Sequence, residues 1–234
     1  MYKRWKFTIL LAVILCMLLM HGAIEEGPAF ELLYQAALAV VFLAVILALC
    51  QRRETRVAGL VLGIPTLAGV LVGRYLIEPA PTAANICLHG LPIVFIVFTT
   101  WDVLRTIFRR SAVTADDIMG AFCGYLLLGV AFGHLYCVVE WLRPGSFHVG
   151  GQVVALPPAG TPRFSLLGYF SMITLTTVGY GDVTPVSPPA RMLAAVEGVT
   201  GQFYVAVVVA AIVALKASGP SRQTPTDRPT DPES

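Results

Sequence analysis

Six long apolar segments constrain this chain more than any other feature of its sequence. A helix needs about 20 mostly apolar residues to cross a bilayer. The six segments are Phe7–Gly22, Leu32–Cys50, Val57–Ile77, Ile86–Phe108, Ile118–Trp141 and Ala190–Lys216. Only 13% of the residues are charged and 56% are hydrophobic, whereas a soluble domain carries about twice that charge. We therefore predict an all-α membrane protein with six transmembrane helices.

A seventh apolar stretch, Phe164–Leu175, lies between the last two segments and is too short to span a bilayer. We interpret it as a re-entrant helix, which is tolerated only where protein buries it or water fills a cavity beside it. Thr161 followed by Pro162 is typical of the cap and first position of such a helix. The negative end of its dipole would then point toward the membrane centre.

The basic residues predict one orientation for all six spans. Twelve of the 16 Lys and Arg residues fall on the same side of the predicted topology: Lys3, Arg4, Lys6, Arg52, Arg53, Arg56, Arg105, Arg109, Arg110, Lys216, Arg222 and Arg228. An excess of Lys and Arg marks the cytoplasmic side. Both termini are therefore expected in the cytoplasm, and the loop after Phe164–Leu175 is expected to open outside.

The first span has a second interpretation, because basic residues before a short apolar run also resemble a signal peptide. His21-Gly22-Ala23 is a poor small-x-small cleavage site, which favours a retained helix. The rest of the topology is the same in either case.

The most informative short run is Thr176-Thr177-Val178-Gly179-Tyr180-Gly181-Asp182. A dehydrated cation needs closely spaced rings of oxygen, and backbone carbonyls supply them only if each one points at a common axis. Gly179 and Gly181 can adopt the unusual backbone angles that this requires without a Cβ penalty. The hydroxyl of Thr177 would add one more oxygen ring, while Val178 and Tyr180 would point away from the axis.

This run contains Thr-Val-Gly-Tyr-Gly, and with its flanking helices the chain resembles the potassium channel family. The resemblance covers Thr114–Lys216 and implies a bacterial channel with a two-helix pore module after four N-terminal helices. It implies K⁺ binding by the backbone carbonyls of Thr177, Val178, Gly179 and Tyr180 and by the side chain of Thr177. Residues 1–110 are then the four-helix transmembrane region, 111–217 the pore domain, and 218–234 a disordered cytoplasmic tail. The Pro-, Ser- and Thr-rich composition of that tail favours disorder.

The resemblance also assigns residues that support the filter. Glu140 would brace the outer helix against the start of the inner helix. Tyr169 and Phe170 stand where many potassium channels carry two tryptophans, and Tyr169 can donate a hydrogen bond to Asp182. Ile173 stands where some bacterial channels carry a glutamate paired with that aspartate. Loss of this glutamate leaves filter inactivation unpredictable.

Further positions carry over to the outer mouth and the inner helix. Thr184 would line the outer mouth. Gly201 has the spacing of the family's hinge glycine and Gly198 lies nearby, although both residues are also typical of close helix packing. Four residues share a helix face that we assign to the cavity and gate: Gln202, Val205, Val209 and Val213. Glu197 lies at membrane depth without an obvious partner, where a charge costs about 2.5–3.5 kcal/mol.

The fourth segment argues against voltage gating. Ile86–Leu104 contains no Arg or Lys, so no charges are placed to move through the membrane field. The tail is too short for a ligand-binding domain, so gating by such a ligand would need another, unidentified regulatory subunit.

These observations predict a potassium-selective channel that conducts passively through a homotetramer, because one filter per chain requires four chains for a ring. The expected partners are the lipid bilayer and other copies of the chain, with no nucleic acid and no cofactor apart from the permeant K⁺. Analogy with prokaryotic channels suggests the plasma membrane. Alternatives are a non-conducting membrane sensor or scaffold, a weakly selective cation channel, and a subunit of a potassium uptake transporter, whose four repeats this chain lacks. An enzyme is not expected, since the sequence holds no metal-ligand cluster, nucleophile motif or Gly-rich phosphate loop.

Overall fold

A computed structural model describes residues 6–23, 28–50, 53–76, 82–108, 114–153 and 164–217. The chain forms seven helices and three short strands in these ranges. The helices are α1 (Lys6–Ala23), α2 (Pro28–Cys50), α3 (Arg53–Leu76), α4 (Thr82–Phe108), α5 (Ala115–Leu142), α6 (Phe164–Leu175) and α7 (Pro188–Ala217). The strands are β1 (Phe147–Val149), β2 (Gln152–Val153) and β3 (Val183–Pro185). The structure confirms an all-α membrane protein, and the predicted tail 218–234 and the predicted cap Thr161-Pro162 lie outside the described residues.

Three helices are long and apolar enough to cross a membrane by length and composition: Ile86–Arg105, Ala115–Leu142 and Pro188–Ala211. They coincide with the predicted spans four, five and six. The first three predicted spans coincide with α1, α2 and α3, where the apolar stretches within the described residues are shorter. The predicted re-entrant helix is α6, with the same bounds as the sequence analysis gave it.

Helix α5 organises the packing, since it contacts α1, α4, α6 and α7. Its N-terminus carries a capping box. The backbone N–H of Asp117 donates to the Thr114 hydroxyl (3.3 Å), and the backbone N–H of Thr114 donates to the Asp117 carboxylate (3.0 Å). The neighbouring Asp116 accepts a hydrogen bond from the backbone N–H of Phe7 (3.3 Å), which ties the start of α1 to the start of α5.

Two apolar cores follow one another along α5, the first on its residues 121–131 and the second on its residues 132–137. One joins α1, α2, α4 and α5 through buried residues such as Phe42, Phe95 and Leu127. The other joins α5, β1, α6 and β3 and is rich in aromatic rings, including Tyr136, Phe147 and Phe170. The second core supports the short helix that leads into the Thr-Val-Gly-Tyr-Gly run.

A small antiparallel sheet caps this second core. Its strand order is β2-β1-β3, so the hairpin around Gly150 and Gly151 pairs with the strand that follows Asp182. Both glycines have a positive φ, 56° and 81°, which the tight turn requires and which residues with a Cβ rarely adopt.

Candidate functional site

The loop Thr176–Asp182, called the filter loop below, begins directly at the C-terminus of α6. The helix reaches this position because small residues allow it to lie close to α5. A Cβ atom on Gly133 of α5 would stand only 3.0 Å from the Cα atom of Gly168 of α6. The C-terminal carbonyls of α6 therefore point into the filter loop from a helix held firmly against its neighbour.

The first four backbone N–H groups of the filter loop all donate to the last turns of α6. The bonds are Thr176 N to Met172 O (3.1 Å), Thr177 N to Thr174 O (3.0 Å), Val178 N to Ile173 O (2.9 Å) and Gly179 N to Ile173 O (3.1 Å). These bonds satisfy helix carbonyls that have no partner within the helix. Ile173, predicted as filter support, thus acts through its carbonyl, while its buried side chain packs behind the loop.

The backbone of the filter loop carries a positive φ at every second residue. The φ angles are 61° at Thr177, 54° at Gly179 and 79° at Gly181. Successive carbonyls of an extended strand point to opposite sides, and a left-handed residue at every second position turns them toward a common side. The two glycines were expected to adopt such angles, but nothing in the sequence indicated that Thr177 would do so. A β-branched residue at this angle is an outlier, and such strain clusters at functional sites.

The carbonyl groups of the filter loop from Thr177 to Gly181 accept no hydrogen bond from the part of the chain that the structure describes. The loop also lies on the surface of the protomer, where 51% of Val178 and 75% of Tyr180 are exposed. A row of free backbone acceptors beside exposed apolar side chains is suited to bind cations on one side and other protein on the other.

The outer end of the filter loop is held by Asp182. The Tyr169 hydroxyl donates to the Asp182 carboxylate at 2.7 Å, so the structure brings together the pair that the sequence analysis suggested. The Asp182 carbonyl accepts from the backbone N–H of Gly150 at 2.9 Å, which attaches the β1–β2 hairpin to the same residue. Burial and the hydrogen bond to Asp182 raise the pKa of Tyr169 to about 12, so its hydroxyl keeps the proton that it donates at neutral pH.

Glu140, near the end of α5, is buried and accepts hydrogen bonds from the backbone N–H groups of Gly145 (2.7 Å) and Ser146 (2.9 Å). The carbonyl of Ser146 in turn accepts from the N–H groups of Val186 (2.8 Å) and Ser187 (3.4 Å), just before α7. Glu140 is therefore connected to the start of α7 through the backbone of Ser146, which bonds to Glu140 by its N–H and to Val186 and Ser187 by its carbonyl. The Glu140 side chain is buried rather than exposed to water at the membrane interface.

Phe170 is buried behind the filter loop in a cluster of three aromatic rings. Its ring centroid lies 5.0 Å from that of Tyr136 and 5.4 Å from that of Phe147, both in edge-on geometry. Tyr136 and Phe147 contact each other in the same way at 5.4 Å. Such pairs are favourable beyond their buried area. The sequence analysis missed this cluster, because its members come from α5, β1 and α6.

Thr184, the predicted outer-mouth residue, lies in β3 opposite His148 of β1. It is half-buried, and it follows the filter loop on the side where the hairpin packs. The structure therefore places Thr184 in the sheet that holds the outer end of the filter loop.

Helix α7 presents two different faces. Its inward face carries Glu197, Gly201, Tyr204 and Val208 at helical spacing, and these residues pack against α5 and α6. A Cβ atom on Gly201 would stand 2.6 Å from the carbonyl oxygen of Leu175, the last residue of α6. Gly201 is therefore a close-packing residue in this conformation, and its role as a hinge stays a prediction.

The other face of α7 is exposed in the protomer and carries the predicted cavity residues Gln202, Val205, Val209 and Val213. Gly198 lies half-buried between the two faces, and a Cβ atom there would meet nothing within 4 Å. The structure thus separates a packing face from a face that is free for water or for other protein.

Glu197 has the partners that the sequence did not reveal. The Tyr136 hydroxyl donates to one of its oxygens, and the hydroxyl of Ser171 on α6 is hydrogen-bonded to the other. No signal in the sequence could have found these partners, which lie 61 and 26 residues away. Within the described ranges, no group of three or more His, Cys, Asp or Glu side chains is placed to hold a metal ion.

Comparison with known proteins agrees with the geometry of this region. Residues 153–216, which contain α6, the filter loop and most of α7, match the family model described as "Ion channel". This part of the chain is therefore similar to an ion channel domain, and it belongs to an all-α membrane protein.

One curated relative is similar to part of the chain. It is the protein LctB of Bacillus caldotenax, which is 35% identical over 91 residues, or 36% of this chain. The chain spans 61% of the length of that relative. No solved structure matches the chain.

Proposed function

We propose that this protein is a potassium-selective channel that conducts K⁺ passively, without chemical catalysis, through a homotetrameric pore. The observation that carries the proposal is the filter loop, where φ is positive at Thr177, Gly179 and Gly181. The carbonyls from Thr177 to Gly181 accept no hydrogen bond from any described residue, so they are free to replace the hydration shell of an ion.

The exposed surfaces of the protomer support a tetramer. A ring of carbonyls needs four filter loops around one axis, and the filter loop lies on the protomer surface rather than in its core. The exposed face of α7 adds apolar side chains on the same module, including Met192, Val196, Val199 and Phe203. Four copies around the filter axis would cover part of this apolar surface and leave Gln202 and Val205 for the pore lining.

The proposed topology places the chain in the cell membrane with both termini in the cytoplasm. The pore helix α6 then directs its negative C-terminal end at the ion path, which favours a cation. No strong voltage dependence is expected, since the described part of α4 carries a single basic residue, Arg105, in its last turn.

K⁺ flux into liposomes, combined with the mass of the detergent-solubilised protein, tests this proposal. Gly179→Ala places a Cβ on a residue with φ of 54°, which costs about 1–2 kcal/mol and distorts one carbonyl ring. We expect this variant to lose K⁺ flux while it remains a tetramer. Gly151→Ala is the matched control, because Gly151 also has a positive φ, 81°, and open space at its Cβ position, but it lies in the β1–β2 turn.

Retained flux in Gly151→Ala and lost flux in Gly179→Ala would support the proposal. Flux that survives Gly179→Ala would contradict it, and so would a conducting wild-type protein that is only a monomer or dimer. An intact wild-type tetramer without flux would favour the non-conducting sensor or scaffold.

A further inference from the structure

Glu197 is the most completely buried acidic side chain among the described residues, and it joins three helices. It belongs to α7 and its exposed fraction is 0%. One carboxyl oxygen accepts from Tyr136 of α5, and the other is bonded to Ser171 of α6. The Ser171 hydroxyl also lies 2.6 Å from the carbonyl oxygen of Gly129 of α5.

Counting protons in this cluster assigns the charge of Glu197. A serine hydroxyl has one hydrogen to donate, and a backbone carbonyl can only accept. The contact between Ser171 and Gly129 therefore uses the serine proton. The proton between Ser171 and Glu197 must then come from Glu197, so its carboxyl group is protonated.

An ionised Glu197 would leave one contact without a proton. Ser171 would have to turn its hydrogen to the carboxylate, and its oxygen would face the Gly129 carbonyl oxygen at 2.6 Å with nothing between them. Two buried acceptors at that distance repel each other, and each would lose a hydrogen bond that it cannot replace from water. The neutral acid satisfies all three contacts at once.

The surroundings of Glu197 offer no positive charge that would stabilise the ionised form. The titratable groups that face it are Tyr136 and Tyr125, both on α5. Helix α6 presents Ser171, its tyrosine being turned to Asp182, and β3 has no titratable residue. No Lys or Arg of the described ranges contacts the carboxyl group.

The contact with Ser171 lies close to the residues that shape the filter loop. Ser171 precedes Ile173 by two residues, and the Ile173 carbonyl accepts from both Val178 and Gly179. One turn after Glu197, Gly201 packs against the carbonyl of Leu175. The inner helix therefore contacts the last turns of α6 at two points, one through a hydrogen-bonding acid and one through a close backbone approach.

We propose that Glu197 is a positioning residue that is held as a neutral acid, and that its proton ties the inner helix α7 to the pore helix α6. The effect on conduction rests on the function proposed above, whereas the protonation does not. Removing the proton at alkaline pH is expected to break the Glu197–Ser171–Gly129 chain and to change the position of α6 relative to α7.

Infrared spectroscopy of the intact tetramer tests the protonation directly. The difference spectrum between wild type and Glu197→Gln at neutral pH is expected to contain the C=O stretch of a protonated carboxylic acid. The paired bands of a carboxylate in that spectrum would overturn the assignment. This readout does not depend on whether the protein conducts.

Two substitutions test the tie between the helices. Glu197→Gln keeps both hydrogen bonds of the neutral acid, because the amide oxygen accepts from Tyr136 and the amide N–H donates to Ser171. Glu197→Leu has similar bulk and keeps neither bond. We expect K⁺ flux within about twofold of wild type for Glu197→Gln and a loss of roughly tenfold for Glu197→Leu, since unpaired buried polar groups remain.

The pH profile separates this role from simple packing. We expect K⁺ flux to fall in wild type as pH rises from neutral into the alkaline range, and to stay constant in Glu197→Gln. The Tyr169 hydroxyl, with its pKa raised to about 12, keeps its proton over this range in both proteins. Equal pH profiles, or a Glu197→Gln tetramer as inactive as Glu197→Leu, would overturn the proposal.

Failure of the proposed function gives a different pattern. If the wild-type tetramer does not conduct, the infrared band still decides the protonation. The thermal stability of the tetramer then tests whether Glu197 links α7 to α6. Glu197→Gln is expected to match wild type, and Glu197→Leu is expected to unfold at a lower temperature. Equal stability of the two variants would contradict the proposed link between α7 and α6.

Discussion

The two ends of the filter loop are held in different ways. At the inner end, four consecutive N–H groups from Thr176 to Gly179 donate to backbone carbonyls of α6. At the outer end, Asp182 is held by the side chain of Tyr169 and by the N–H of Gly150. The inner contacts all lie within six residues along the chain, whereas the outer ones reach back 13 and 32 residues.

This difference shows where substitutions can act. Side chains make none of the four inner bonds, so the inner end changes only if the backbone of α6 moves or if a φ angle is forbidden. The outer end depends on individual side chains and on the hairpin behind them. We therefore expect backbone and packing variants to disturb the inner end strongly, and side-chain variants to change the outer end in smaller steps.

Among further variants that distinguish the two ends of the filter loop, Gly201→Ala at the inner end is expected to have the largest effect. The new Cβ would stand 2.6 Å from the Leu175 carbonyl and 2.9 Å from its side chain, so backbone must move. Overpacking of this kind costs about 1–3 kcal/mol. We expect K⁺ flux to fall by more than half and the tetramer to unfold at lower temperature.

Gly198→Ala is the matched control on the same helix, because nothing lies within 4 Å of its Cβ position. Ala favours the helix by up to about 1 kcal/mol over Gly, so this variant is expected to be at least as stable as wild type. A Gly198→Ala protein that loses flux while Gly201→Ala keeps it would show that Gly198 bends and that close packing at Gly201 is unimportant.

A smaller effect is expected from Glu140→Ala, which removes the acceptor for the buried turn before β1. Leaving the N–H groups of Gly145 and Ser146 unpaired costs about 1–3 kcal/mol each. We expect a lower temperature of tetramer unfolding, measured by tryptophan fluorescence, with Glu140→Gln intermediate because one of its two terminal groups still accepts. Unchanged stability in Glu140→Ala would mean that the turn of Gly145 and Ser146 does not depend on this carboxylate.

The smallest effect is expected from removing one tyrosine hydroxyl at each end. Tyr169→Phe removes the bond to Asp182 at the outer end, and Tyr125→Phe removes a 2.9 Å bond to the Leu175 carbonyl at the inner end. Because Asp182 is exposed, its bond is worth about 1 kcal/mol. We expect Tyr169→Phe to lower the K⁺ over Na⁺ permeability ratio a few-fold and Tyr125→Phe to leave it unchanged.

The Tyr169 bond also has a defined pH dependence. Burial and the bond to Asp182 raise the pKa of Tyr169 from 10.0 to about 12. The stability that the bond contributes is therefore complete below pH about 10 and is lost as the pH rises toward about 12. A selectivity difference between wild type and Tyr169→Phe that disappears well below pH 10 would contradict this account.

Much of the structure around the two ends of the filter loop could be predicted from the sequence. The bounds of α6, the capping box of α5 and the three spans around the filter loop follow from periodicity, local caps and apolar length. Tyr169, Ile173 and Asp182 lie within 13 residues of one another on α6 and the filter loop, so their neighbourhood follows from local geometry.

The rest depends on long-range packing that a pattern cannot encode. The partners of Glu197, the aromatic cluster around Phe170 and the path from Glu140 to α7 each join elements far apart in sequence. The positive φ at Thr177 contradicts the ordinary preference of a β-branched residue, so no local rule predicts it. These are the features at the site where tertiary contacts override local preference.

The bi-ionic reversal potential of purified protein in a planar bilayer, with K⁺ on one side and Na⁺ on the other, tests the central claim most directly. The filter-loop geometry predicts a reversal potential that strongly favours K⁺ and a current that disappears in Gly179→Ala but persists in Gly151→Ala. A reversal potential near zero in an intact, conducting tetramer would contradict the claim and would favour a weakly selective cation channel.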